Sequence, residues 1–211
     1  MTRARAARLA SAAATLALLC ATAAQAAPPG PRDPDWPCQQ IKVAQLSPAA
    51  LWAGPPLDAA QSRWRDDPDA AALVARLAQR RVPLDQAKAD IATFAEHAGA
   101  QRQDSLLDLF AGLFATLDEE RTAVVTGLDR FGSRQKTLAE KVRNEADALH
   151  AEQAAATPDD AKLATLGNQI GWDTRIFEDR RTSLHYACDV PNIIEQRLFA
   201  LSQAIQAALP Q

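Results

Sequence analysis

From about Gln103 to Ala155 the chain runs for some 50 residues without a proline and holds one period throughout. Leu106, Phe110, Leu113, Leu117, Val124, Leu128, Phe131, Leu138, Val142 and Leu149 recur at helical intervals. A continuous helix of about 50 residues spans roughly 80 Å. From Leu117 onward the apolar positions alternate in steps of four and three, with Arg121, Gln135 and Glu145 in the remaining slots. That is the heptad spacing of a coiled coil, which requires a partner helix along its length.

The partner is in the same chain. Thr157-Pro158-Asp159-Asp160 reads as a turn and a fresh helix start. A second stripe follows through Leu163, Leu166, Ile170, Phe177, Leu184, Ile194, Leu198, Leu201 and Ile205. If the chain reverses at 157–158, Leu149 meets Leu166, Leu138 meets Phe177, Phe131 meets Leu184, Leu117 meets Leu198 and Phe110 meets Ile205. The same register sets Val142 against Asp173, Glu145 against Ile170, and Cys188 against Gly127. Two independently found stripes that match in this way point to an antiparallel helical hairpin. Pro191 is expected to bend or break the second arm near Ala187 to Val190.

Two shorter helices precede the hairpin. Asp67-Pro68 supplies an N-cap and a proline at the first helical position, with Leu73, Val74 and Leu77 on one stripe up to Arg81. Pro83 restarts the chain, and Leu84, Ala87, Ile91 and Phe94 repeat until Gly99. Ser105 to Phe114 is apolar around more of its circumference than a two-helix seam requires, so these helices should pack on it. The fold class is therefore all-α: a long antiparallel hairpin with two short helices at its base. The helical domain covers 67–211, with the base at 67–125 and 188–211 and the hairpin extension at 126–187.

Ahead of it, residues 27–66 carry most of the chain's 13 prolines and three of its four tryptophans, Trp36, Trp52 and Trp64. This reads as an irregular arm laid over the helices and anchored by its indoles. An exposed Trp-Pro surface that captures a partner or a glycan is the alternative. Residues 1–26 read as a signal peptide: Arg3, Arg5 and Arg8, an apolar run from Leu9 to Leu19, and Ala24-Gln25-Ala26 as a cleavage site after Ala26. That run is too short to span a bilayer comfortably. A lipid anchor on Cys20 would want a small residue where Leu19 stands. The expected location is the periplasm, with no transmembrane segment in the mature chain.

Export leaves two cysteines, Cys38 and Cys188, and in an oxidising compartment such a pair is expected to form a disulfide. Neither Cys-x-x-Cys nor Cys-x-x-Cys-His is present, so a structural tie is the reading, worth roughly 5 kcal/mol in the chain-entropy model. A glycine at 127 would give the arm room to reach Cys188.

The formal net charge of -3 falls further once three arginines leave with the signal peptide, which argues against nucleic acid as a partner. The histidines, His97, His150 and His185, are too scattered to share a metal, and no phosphate loop, dinucleotide fingerprint or nucleophile elbow occurs. No cofactor and no catalysis are expected. Trp172 and the arginines Arg175, Arg180 and Arg181 form the one cluster with the residue types of an interface anchor; Trp172 against Arg143 is a plausible cation–π pair. Candidate partner-binding residues are thus Trp36, Trp52, Trp64, Trp172, Arg175, Arg180 and Arg181.

The Asp35-Trp36-Pro37-Cys38 opening, together with Trp172-Asp173-Thr174-Arg175-Ile176-Phe177-Glu178, resembles an exported proteobacterial family to which no activity attaches. The resemblance implies export and no catalytic residues. The function expected is an adaptor or assembly factor for another envelope protein. A structural, self-associating protein in which Arg121 and Glu145 pair between copies is one alternative. A small-ligand carrier or enzyme with a pocket near the three arm tryptophans is the other.

Overall fold

The computed structural model describes residues 33–210, so the signal peptide and the prolines at 28, 29 and 31 lie outside the described residues. The described chain is helical, with no strand. Five α-helices follow one another: α1 (Asp58–Arg63), α2 (Pro68–Leu77), α3 (Leu84–His97), α4 (Arg102–Gln153) and α5 (Asp160–Ala208), with short 3-10 turns at Pro48–Ala50 and Gly99–Gln101.

Local chemistry sets the boundaries. The Asp67 carboxylate accepts from the backbone N–H groups of Asp69 and Ala70, and Pro68 occupies a first-turn position where no N–H is missed. α3 starts after Pro83 and stops at Gly99, whose φ of 51° is the left-handed conformation that ends helices. Asp159 opens α5 by accepting from Ala161 and Lys162, while Glu152 accepts from the Asp159 N–H across the turn.

α4 and α5 are 52 and 49 residues long and pack against each other. Their polar contacts run in reverse chain order. Glu152 pairs with Lys162 at 2.6 Å, Lys141 with Asp173 at 2.6 Å and Arg121 with Glu195 at 2.5 Å. Phe131 and Leu184 line one small hollow, and Val142 and Phe177 line another. The polar residues that interrupt the stripes are matched. Asp173 is buried, accepts from Lys141 and from Gln169 at 2.8 Å, and its carboxyl is held below the usual aspartate range mainly by the Lys141 hydrogen bond. Gln135 donates to the Phe177 carbonyl at 2.8 Å. Buried polar pairs of this kind fix register where apolar contacts alone tolerate slippage.

The core sits at one end of the pair. Leu106, Leu109, Phe110, Leu113 and Leu117 of α4 interlock with Ile194, Leu198, Leu201 and Ile205 of α5, under α2 and α3. Past Gly132, α4 has no fully buried residue, and before Cys188, α5 buries only Asp173. Arg197 enters the core without a carboxylate. It donates to the carbonyls of Leu77 and Val82, the chain ends around the α2–α3 break, and burial pulls its guanidinium below the usual arginine value.

Three local expectations change. The arm is not irregular throughout: Asp58–Arg63 form a short helix in the proline-free gap between Pro56 and Pro68, with an acid in its first turn and a base in its last. α2 ends at Leu77, short of Arg81. Helical structure also continues through Pro191, which is buried in the base. A proline there removes the N–H that would bond the Ala187 carbonyl, and the neighbouring Cys188 carbonyl accepts from the Gln40 side chain of the arm.

Candidate functional site

A disulfide joins Cys38 to Cys188, with their Cα atoms 5.6 Å apart. Around it the arm lies against both long helices, running opposite to α4 and along α5. Asp35 meets Lys136 at 2.8 Å. Lys42 bridges Asp33 at 2.6 Å and Asp129 at 2.8 Å, and its ammonium is held above the usual lysine value by hydrogen bonds to Asp129 first and Asp33 second. The Val43 carbonyl accepts from Arg121 at 2.7 Å, and the Leu46 N–H donates to Asp118 at 3.3 Å. Further along, the Leu51 carbonyl accepts from Ser202 at 2.5 Å, and the Ala53 N–H donates to Gln206 at 2.9 Å.

The close approach falls at Gly132, not at Gly127. A Cβ at 132 would collide with the Asp35 carbonyl oxygen and lie 3.1 Å from the Pro37 ring, whereas a Cβ at 127 would meet nothing within 4 Å. The arm crosses α4 one and a half turns beyond the point the cysteine register suggests, because the segment from Asp35 to Cys38 slants across the pair before reaching Cys188.

The arm tryptophans are anchors with different exposures. Trp52 is buried, stacks on Phe110 at 4.2 Å between ring centres, and donates to the Pro55 carbonyl at 2.8 Å. Trp64 is buried against α4, where Gly112 gives it room, and Arg65 covers its outer face at 4.3 Å. Trp36 is half-buried, donates to the Gln40 carbonyl at 2.7 Å and has the Lys42 ammonium 5.9 Å from its ring. These indoles do not line a common pocket. A shallow hollow of about 280 Å³ touches Trp64 and Phe110, and a depression of about 800 Å³ lies between α2 and α3 beside Arg76, Asp90, Phe94 and His97. No group of three or more metal-ligating side chains occurs among the described residues.

Trp172 is 60% exposed on α5, and Arg175, Arg180 and Arg181 are exposed on the same helix. Only Trp172 and Arg175 share a face; Arg180 and Arg181 fall to either side of the seam with α4, and Arg181 is tied to Glu178 at 2.7 Å. The cation–π contacts among the described residues are on Trp36 and Trp64, not between Trp172 and Arg143. Arg121, offered as a contact between copies, is 2% exposed and engaged within the chain by Glu195 and Val43. Glu145 lies 3.4 Å from Lys141 on its own helix.

Three other large apolar side chains are exposed on α5: Phe199 at 52%, on another side of the helix, and, on the side of Trp172, Tyr186 at 73% and Ile193 at 47%. The sequence signal of Trp172, Tyr186 and Ile193 is a spacing in multiples of seven, which returns each to the same side of a paired helix.

The molecule is thus an all-α protein with two long paired helices and a disulfide-tied arm. No protein-family model matches the chain, and neither a curated protein nor a solved structure matches it.

Proposed function

We propose that this chain is an exported, non-enzymatic binding protein: a coiled-coil hairpin whose extension at 126–187 projects from a packed base and serves as an adaptor or assembly factor for another envelope protein. The observation that carries this reading is the stretch of α4 past Gly132 and α5 before Cys188, long, regular and almost without buried residues. Helix that contributes so little to a core is retained for its surface. Trp172 and the exposed arginines on it are residue types that anchor interfaces. The disulfide, and the lack among the described residues of a helix long and apolar enough to cross a membrane, are compatible with export.

A photoreactive residue placed at Arg180 or Arg181 in cells exporting the protein tests this directly. The expected product is an adduct with a different envelope protein, identified by mass spectrometry. Adducts containing only this chain, or none, contradict the adaptor reading. A second reading, self-association, is favoured by a separate observation on α5.

A further inference from the structure

α5 carries two stripes, and the chain itself covers the second only in part. The first meets α4. The second is stepped off at alternating intervals of four and three: Trp172, Ile176, Asp179, Ser183, Tyr186, Val190 and Ile193. This spacing keeps one side of a helix turned toward another helix along its length. The same steps continue to Arg197 and Ala204, and there the stripe is covered. Arg197 is buried and bonded to the Leu77 and Val82 carbonyls, just ahead of α3, which packs on α5. Beyond that end Ile193, Tyr186 and Trp172 stand exposed over a run of about 30 Å, while Ile176 and Val190 between them are half-buried, Val190 against the edge of the core.

We propose that the occupant of this exposed stripe is the same stripe of a second copy of the chain, running antiparallel across a two-fold axis between Thr182 and Ser183. Read outward from that axis in both directions, the stripe complements itself to within one residue. Ile176 stands opposite the partner's Val190, and Trp172 opposite the partner's Ile193. Asp179 faces the partner's Tyr186, whose phenol O–H can donate to the carboxylate. Beside the stripe, Arg175 faces the partner's Asp189. Every one of these pairs occurs twice, as an isologous interface demands. Ser183 is small enough for close approach at the axis, and its hydroxyl already donates to the Asp179 carbonyl at 3.0 Å, so it needs no partner there. Arg175, Asp179 and Asp189 have no ion-pair partner among the described residues, which leaves their charges for this contact. The inference rests on α5 turning this side away from α4 and is independent of any envelope partner.

The test uses the mature, oxidised protein, in which Cys38 and Cys188 are blocked by their disulfide. In a Trp172→Cys/Ile193→Cys variant the introduced thiols are about 30 Å apart within one chain, too far for a short bismaleimide, but adjacent across the proposed dimer. A covalent dimer is expected from the double variant and little from either single variant. Sedimentation should show that Arg175→Asp weakens association by about tenfold, while Arg175→Asp/Asp189→Arg restores it; circular dichroism confirms that each variant is folded. A protein that stays monomeric at every concentration, a dimer indifferent to Arg175→Asp, or a loss that the exchanged pair does not rescue would each overturn the proposal.

Discussion

Gly132 and Gly127 sit on the same helix and answer differently to the same substitution. In a helix interior, alanine is favoured over glycine by roughly 0.8–1 kcal/mol. At Gly127 nothing opposes that preference, since an added Cβ meets open space. At Gly132 the methyl group would press on the Asp35 carbonyl, which is backbone held by the Lys136 ion pair and the nearby disulfide and cannot easily give. Gly127→Ala is therefore expected to raise stability by roughly 0.5–1 kcal/mol. Gly132→Ala should lower it by about 1–3 kcal/mol, the usual range for overpacking. Urea unfolding of the two variants beside the parent checks both signs; equal effects would mean that the arm does not cross at 132.

Between elements, ion pairs join the arm to α4 and α4 to α5 outside the apolar core, and their protonation makes stability depend on pH. Asp173 is held low mainly by Lys141, Glu152 mainly by Lys162, and Asp33 mainly by Lys42. A carboxylate depressed in the folded state contributes fully above its unfolded pKa and loses that contribution as pH falls through the folded one. Stability should thus be level from neutrality down to about pH 5 and fall below about pH 4. Lys42, Lys141 and Lys162 are raised, so their contribution holds below the free lysine value and fades as alkaline pH rises through the folded one. Asp173→Asn should flatten part of the acid fall in a series of thermal melts; an unchanged acid limb would show that this pair carries no linkage. The disulfide acts at the same scale. Its loss in a Cys38→Ser/Cys188→Ser variant is expected to cost about 2–5 kcal/mol with little change in helical circular dichroism, because the α4–α5 core does not depend on it. A collapse of helix content would contradict that separation.

Over the whole molecule, the long-range order was legible because it is written in periods. Two stripes of matching phase gave the α4–α5 pairing, Asp67-Pro68 and Pro83 gave the starts of α2 and α3, and the expectation of an oxidising compartment gave Cys38–Cys188. What escaped depends on single contacts between distant segments. Nothing local says that the Gln40 side chain will serve the Cys188 carbonyl beside Pro191, or that Asp35 will lie on Gly132. α1 was hidden among prolines, and Arg121 looked free for another copy until Val43 and Glu195 enclosed it. Trp172, Tyr186 and Ile193 were visible one by one, but their common side emerges only once α4 and α3 define which sides are covered. The central claim is that two long helices pair in reverse order beneath a tied arm. Carbodiimide cross-linking of the oxidised protein, followed by peptide mapping, tests it most directly. It should join Lys162 to Glu152, Lys141 to Asp173, Lys42 to Asp129 and Lys136 to Asp35 within one chain. Links from Lys141 or Lys136 to acids near the C-terminal end of α5, with these four absent, would contradict it.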